Sequence, residues 1–340
     1  MKRYPKNHHI FTDLDPFEDV QVLLSYLTAT DYLLDLLTST HSIALTDAKA
    51  RAKLIVPHIH AALGFFQQAQ TGPPELSFLP NYYGILNLIK VYVLFGPYHN
   101  NLTSERWHGA VYRGFHKDSQ NLLTERIFLK QKGALPLFYK TIVGKPWSER
   151  DVCMSDIYPY ISSVSAEYFL ATRKRPSLVE LHLDFEHPKS ATEIIPSVRI
   201  TSDTDASVRQ LKVLKGFKRA PSDKKFLGTA VPIKYNASTA ANPLVREQFR
   251  DYLIYHSKGR NILTPKCSKM LLLPEELPIA LLFFHMSSVV RYKPDFLEKV
   301  RDSRYWAILA ASRRHCVYQF LVLAWSYFHK ENLILSQYPI

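Results

Sequence analysis

The sequence predicts an α+β fold that is mostly α, with helical N-terminal and C-terminal parts and a small, antiparallel, β-rich insertion between them. Apolar residues recur at helical spacing over much of the first 170 residues and again after residue 241. Over about 178–235 the pattern changes to the alternation of strands. Glycine is scarce, at 11 of 340 residues. The predicted domains are 1–175, the insertion 176–240, and 241–340, which is expected to pack on the first.

Composition narrows the class of protein. The chain has 46% hydrophobic and 21% charged residues, a composition typical of globular proteins. This composition argues against a disordered, collagen-like or coiled-coil chain. No apolar run reaches the ~20 residues that a membrane span needs, and no signal-peptide pattern follows the N-terminus. Three widely spaced cysteines match neither a disulfide framework nor a zinc site. We therefore expect a cytoplasmic protein without a membrane partner.

The first two helices follow from capping and spacing. Asp15 is a good N-cap and Pro16 suits the first helical position, so a helix is predicted from here through the Leu- and Tyr-rich stretch to Leu37. A second helix is predicted from near Thr46 toward Gln70, interrupted or kinked at a proline, Pro57, in its middle.

The third helix, over about 80–95, has the clearest pattern in the chain. Gly96 and Pro97 supply its stop signal. One face is an apolar stripe made of Tyr82, Ile85, Leu86, Ile89 and Val93.

The insertion and the C-terminal part follow. Val179–Glu186 alternates apolar and polar residues, and 196–200 and 230–235 are similar short runs separated by turn clusters. Helices are predicted to resume at Asn242-Pro243 and to continue over 274–292, 294–302 and 303–330.

Positive charge is concentrated in one part of the chain. The net charge is +13, and residues 171–269 hold nineteen Lys and Arg against nine Asp and Glu. Such asymmetry favours an anionic partner, either nucleic acid (RNA or DNA) or an acidic protein. The alternative interpretation is a solvated basic face that maintains solubility.

Six of these cations crowd fourteen residues, which we call the basic segment. Phe217 and Phe226 are interleaved or adjacent, and aromatic rings among cations are typical of nucleic-acid contacts. An exposed hairpin loop is the competing interpretation. The six candidate binding residues are Lys212, Lys215, Lys218, Arg219, Lys224 and Lys225.

A polar stripe marks a second face of the third helix. Tyr83, Asn87 and Lys90 lie at i, i+4 and i+7, which is either the solvent side of the helix or one wall of a binding site. If it is a wall, the turn at Gly96 lets the chain fold back and bring His108 opposite.

Further cations flank this site in the sequence. Arg106, His108 and Arg113 can bind phosphate or take part in acid–base chemistry, and a surface helix start with stacked aromatics is the alternative. Arg291 ends an apolar helix and is expected to pair with an acidic residue or the helix end. If it instead points toward Tyr83 and His108 without a partner, anion binding is the better account.

Three of these motifs resemble a known family. Leu79–Lys90, then Arg106-Trp107-His108-Gly109, and later Leu277–Tyr292 are similar to blocks of the bacterial YaaC-like family. That resemblance implies a mostly helical protein with an inserted sheet. More distantly, the Tyr-Tyr helix and Arg106–Gly109 look like the helical HEPN superfamily, with a core over about 75–130.

The HEPN resemblance implies a ribonuclease that needs no metal. His108 would act as general base or acid, and Arg106 or Arg113 would hold the scissile phosphate. It also implies a role in bacterial stress or anti-phage defence. However, Arg106 and His108 depart from the superfamily's Arg-x4–6-His spacing.

The sequence lacks the motifs of several common enzyme classes, so no cofactor and no metal site are predicted. The chain has no phosphate-binding P-loop, no dinucleotide-binding glycine motif, no zincin motif and no nucleophile elbow. His182, Asp184 and Glu186 alternate on one strand face, and carboxylate and imidazole ligands suit a divalent metal. Because no Asp/Glu-x-Lys nuclease element follows, we favour a solvated strand face. The first hypothesis is a nucleic-acid- or protein-binding effector, and the alternative is a HEPN-like ribonuclease. Either can act as a homo- or hetero-oligomer.

Overall fold

The computed structural model is mostly helical and includes small antiparallel sheets, which confirms the predicted class. It describes residues 6–12, 15–104, 108–115, 121–174, 176, 179–186, 193–200, 217–219, 226–229, 233–234, 253–257, 260–264 and 274–337.

The N-terminal helix is shorter than predicted. Helix α1, Pro16–Ser25, begins as expected, with the Phe17 amide donating to Asp15 Oδ1 at 3.0 Å. The continuous helix to Leu37 is wrong, because a 3₁₀ turn and an extended residue, Ala29, precede the short α2, Thr30–Asp35. Local serine and threonine hydroxyls bond to backbone carbonyls here, and such bonds compete with a regular helix.

Two long helices form the N-terminal half of the core. Helix α3, Leu45–Thr71, continues through Pro57, and α4, Phe78–Phe95, packs along it. Gly84 of α4 allows this close approach, because an added Cβ would lie 2.5 Å from a ring carbon of Phe66. The predicted apolar stripe of α4 is buried in full.

The C-terminal end of α4 is fixed by a buried arginine. Arg51 donates from Nη1 to the carbonyls of Leu94 at 2.9 Å and Gly96 at 3.0 Å. Its other nitrogens bond to Asp47 Oδ2 at 2.7 and 2.9 Å. These bonds satisfy carbonyls that the helix end leaves without partners.

A small sheet follows α4, where the sequence analysis predicted mainly helix. Strands β2, Ala110–Phe115, β3, Glu125–Leu129, and β4, Arg150–Cys153, pair antiparallel in that order. Helix α5, Ala134–Val143, joins β3 to β4, and α6, Ser165–Thr172, comes after them. The strands are four to six residues long, too short for their period to stand out in the sequence.

The β-rich insertion is antiparallel, as predicted, and extends past the predicted boundary at residue 240. Its strands are β5 Val179–Glu186, β6 Glu193–Ile200, β7 Phe217–Arg219, β8 Phe226–Thr229, β9 Ile233–Lys234, β10 Leu253–Ser257 and β11 Arg260–Thr264. They occur in the order β10-β11-β5-β6-β8-β7, with β9 also paired to β6. The helix predicted at Asn242-Pro243 lies outside the described residues.

Three helices close the fold. They are α7, Glu276–Tyr292, α8, Pro294–Arg301, and α9, Trp306–His329. Helix α7 is buried from Glu276 to Val289, and both α7 and α9 pack on α4. Strand β12, Glu331–Gln337, pairs in parallel with β1, Lys6–Thr12. Across the described ranges, none of the helices has both the length and the apolarity needed to cross a bilayer.

Candidate anion-binding site

One narrow face of α4 is accessible. From Asn81 to Phe95 every residue is buried except Tyr83, Asn87 and Lys90, the polar stripe of the sequence analysis. The polar stripe is therefore bounded on both sides by core residues.

Tyr83 and Asn87 fasten this stripe to α3. Asn87 Oδ1 lies 2.8 Å from Nδ1 of His58, and its Nδ2 donates to the Tyr83 carbonyl at 2.8 Å. The Tyr83 ring stacks on Phe65 with 5.4 Å between centroids. These contacts hold the two helices together, whereas Lys90 makes no hydrogen bond or ion pair among the described residues.

A glycine fixes the position of His108. Gly109 has φ +89, a conformation that favours glycine, and an added Cβ would lie 2.2 Å from Cδ of Pro136. The His108 carbonyl accepts from the Leu135 amide at 3.0 Å, and the Gly109 carbonyl accepts from the Lys130 amide at 2.9 Å. The His-Gly dipeptide is therefore clamped against the start of α5.

The imidazole of His108 bonds to α4. Its Nδ1 lies 2.6 Å from the Tyr82 hydroxyl, and the two rings stack at 5.6 Å. Burial raises the pKa of Tyr82, so its hydroxyl keeps its proton. Since His108 Nδ1 is its hydrogen-bond partner among the described residues, Tyr82 donates there, and a neutral His108 carries its own proton on Nε2.

Two positive charges reach His108. Burial lowers the pKa of His108, and the charges of Arg291 and then Lys90 lower it further. Burial also lowers the pKa of Lys90 itself. We call Lys90, His108 and Arg291 the cationic cluster. Because the imidazole is held neutral near pH 7, the cluster presents two fixed charges and one hydrogen-bond donor.

Arg291 bonds to the end of its own helix, which is the structural role expected from the sequence. Its Nε donates to the Ser287 carbonyl of its own helix at 3.1 Å, and no carboxylate pairs with it among the described residues. Phe284, two turns earlier on the same face of α7, packs edge-on against Tyr82 at 5.6 Å. The exposed guanidinium therefore lies at the helix end while its charge acts on His108.

The other predicted site residues lie elsewhere or outside the described part. Arg113 is exposed, with its guanidinium 4.9 Å from the Phe128 ring centroid, and it makes no contact with the cationic cluster among the described residues. Arg106 lies outside them. In the basic segment, Lys218 and Arg219 belong to β7, which is the last strand in the order of the large sheet, and only their backbone is described. The remaining four lysines, Lys212, Lys215, Lys224 and Lys225, are not among the described residues.

A buried carboxyl group that was not predicted from the sequence lies close to Lys293, near this site. Glu125 is fully buried, accepts from the Tyr112 hydroxyl with one oxygen and pairs with Nε2 of the fully buried His285 with the other. Lys293 Nζ lies 3.9 Å from Glu125 Oε1. We call these four residues the Glu125 network. It anchors Lys293, two residues beyond Arg291.

A β-bulge makes room for the Glu125 network. The register of β2 and β3 shifts between Tyr112 and Gly114. Gly114 has φ +72, and an added Cβ would lie 3.1 Å from Lys293 Nζ. A glycine at this point lets the lysine approach the carboxylate, and bulges of this kind are common beside functional sites.

Comparison with known proteins gives one finding. A family model described as YaaC-like Protein matches residues 25–328, which is most of the chain. Searches of curated proteins and of solved structures returned no match.

Proposed function

We propose that this chain, which belongs to the YaaC-like family, binds the phosphates of nucleic acid through the cationic cluster. The carrying observation is that Lys90 and Arg291 both bring positive charge to His108, and neither has a carboxylate partner among the described residues. Like charges around a half-buried imidazole are unfavourable until an anion joins them. A phosphate is an anion suited to this environment, because its oxygens accept hydrogen bonds from lysine, arginine and imidazole N–H groups.

The tautomer of His108 favours binding over cleavage. A general base needs a free nitrogen lone pair, but Nδ1 accepts from Tyr82 and Nε2 carries the proton. In this state Nε2–H can donate to a phosphate oxygen, and the Nδ1 lone pair faces Tyr82 instead of a ribose hydroxyl. Arg113 also lies apart, over Phe128. The proposal is therefore a binding protein, and the metal-independent ribonuclease is the alternative that the first experiment tests.

The charge distribution supports nucleic acid as the ligand. Residues 171–269 carry most of the chain's positive excess, and a sequence-independent field of this kind attracts a polyanion to a site. An acidic protein would feel the same field but offers carboxylates, whereas the Nε2–H donor and two cations suit a tetrahedral phosphate. The family match gives no support to the HEPN resemblance, so a defence role is not part of the proposal.

Removing the two charges should weaken RNA binding. In the double variant Lys90→Met/Arg291→Met, we expect affinity for a single-stranded RNA to fall about tenfold or more, because a hydrogen bond to a charged group contributes ~1.5 kcal/mol or more. The slope of log K against log salt should flatten by about 0.7, because the cluster neutralises one phosphate and each contributes ~0.7 on a single strand. Fluorescence-anisotropy titrations at several salt concentrations measure both quantities.

The matched control is Lys140→Met/Arg304→Met. Lys140 is a half-buried helical lysine with its ammonium over Tyr98, and Arg304 is an exposed arginine over Tyr305. It should bind like the wild type. Equal losses in both double variants, or none in either, would contradict the proposal. If the protein bound polyglutamate and did not bind RNA, the proposed ligand would be an acidic protein instead of nucleic acid.

A cleavage assay tests the ribonuclease alternative. RNA incubated with the protein in EDTA should be recovered intact, and cleavage that His108→Ala abolishes would establish the ribonuclease.

RNA affinity should also rise as the pH falls. Burial, Arg291 and Lys90 lower the pKa of free His108 below its usual 6.5. A bound phosphate offsets those charges and raises the pKa, so binding takes up a proton and is favoured at lower pH. Titrations between pH 5.5 and 8.5 measure this dependence.

His108→Gln should flatten the pH dependence, because glutamine cannot titrate there. His60→Gln, on the exposed side of α3, should leave it unchanged. If both variants kept the wild-type pH dependence, His108 would not be in contact with the phosphate.

A further inference from the structure

An exposed tyrosine adjoins the cationic cluster. Tyr292 is the last residue of α7 and is 64% exposed, more than any other large apolar or aromatic side chain among the described residues. The Arg291 guanidinium lies over its ring, 5.1 Å from the centroid. Arg291 also belongs to the cationic cluster, so the ring lies beside one of the proposed phosphate-binding groups.

A second Arg–Tyr pair, Arg304 and Tyr305, shows by comparison that the exposed ring of Tyr292 is unusual. Arg304 lies 5.5 Å from the ring centroid of Tyr305, the next residue. Tyr305 is half-buried, and its hydroxyl accepts from Asn121 Nδ2 at 3.0 Å, so that ring is used in packing. Tyr292 is exposed and packs on no core cluster in the described part of the chain, which leaves its ring accessible to a ligand.

We propose that the ligand is a single-stranded nucleic acid, one base of which stacks on Tyr292 while the cationic cluster holds the neighbouring phosphate. This inference rests on the proposed function and names its substrate class. An accessible aromatic ring beside phosphate-binding cations is the usual combination in single-strand binding, because every base has a face that can stack. In a duplex the bases are already stacked on one another, so no base face is free to stack on Tyr292.

The test compares two probes on the same variants. Affinities for a ten-nucleotide oligouridine and for inorganic polyphosphate of matched charge are measured for the wild type, Tyr292→Ala and Tyr292→Phe. We expect Tyr292→Ala to weaken oligouridine binding about tenfold and to leave polyphosphate binding unchanged. Tyr292→Phe should retain both affinities. Tyr26→Ala, at another exposed tyrosine, should behave as the wild type.

The outcomes separate the two proposals. If Tyr292→Ala bound oligouridine as tightly as the wild type, or lost both probes equally, the stacking inference would be overturned while phosphate binding stood. If the wild type bound neither probe, the proposed function would fail and this inference with it. If Tyr292→Ala weakened the binding of a duplex RNA as much as it weakened the binding of oligouridine, the single-strand assignment would also be overturned.

Discussion

Glu125→Ala is expected to lower the free energy of unfolding by about 3–5 kcal/mol, because several hydrogen-bonding groups lose their acceptor and each one left buried without a partner costs ~1–3 kcal/mol. The substitution leaves the buried His285, the Tyr112 hydroxyl and the Lys293 ammonium without their common acceptor. His285 is fully buried and the Tyr112 hydroxyl is partly buried, so water does not fully replace the lost acceptor. Urea unfolding followed by circular dichroism measures the loss.

Glu149→Ala is the control for this prediction. Glu149 is exposed and accepts one backbone hydrogen bond, from the Gln131 amide at 3.2 Å. Its removal should change the free energy of unfolding by less than ~1 kcal/mol. A similarly small effect for Glu125→Ala would mean that the Glu125 network contributes no net stability and that the description of that buried group is wrong.

A second buried carboxyl should make stability depend on pH. Glu275 precedes α7 and is fully buried, and its Oε1 accepts from the Ser162 amide at 3.1 Å and from the Ser162 hydroxyl. Burial raises the pKa of Glu275 from 4.5 to about 8, the bonds from Ser162 oppose this rise, and the charge of Glu276 adds to it. The folded protein therefore holds a proton on Glu275 at neutral pH.

The sign of the pH dependence follows from this raised pKa. Between pH 4.5 and 8 the folded state binds a proton that the unfolded chain has released, so the stability contributed by Glu275 falls as the pH rises and levels off above pH 8. A shift of this size corresponds to roughly 5 kcal/mol. Glu275→Gln keeps the shape and the acceptor without the charge. It should match the wild type near pH 5 and exceed its stability by several kcal/mol at pH 8.5.

Unfolding curves for wild type and Glu275→Gln between pH 5 and 9 provide the measurement. Glu298→Gln, an exposed position on α8, should run parallel to the wild type throughout. If Glu275→Gln also ran parallel to it, the carboxyl would be titrating in the folded state as it does in the unfolded chain.

Features that depend on neighbours within one helix were predictable from the sequence. The apolar stripe of α4 and the polar stripe beside it follow from the 3.6-residue period, so Ile85, Ile89 and Val93 are buried and Lys90 is not. The capping of α1 by Asp15 was predictable for the same reason. The helical period of α4 does not indicate which element packs on each face, so the contact between His108 and Tyr82 could not be predicted from it.

Features that join distant segments were not predictable. The Glu125 network joins a carboxylate to a tyrosine 13 residues away and to a histidine 160 residues away. His285 lies in the middle of an apolar helix, where the sequence around it indicates only core. The glycine after His108 carried a signal, but its physical reason is the contact with Pro136, which depends on where α5 begins.

The contact between His108 and a phosphate can be observed directly by NMR of the histidine rings. Chemical shifts of the imidazole protons are followed as a short single-stranded RNA is added, with the His108 signals assigned from the spectrum of His108→Gln. The account predicts a saturable shift of the His108 signals and a higher pKa for His108 in the complex than in the free protein. Saturable RNA binding that left the His108 signals and their titration unmoved would contradict it, because the RNA would then lie elsewhere on the chain.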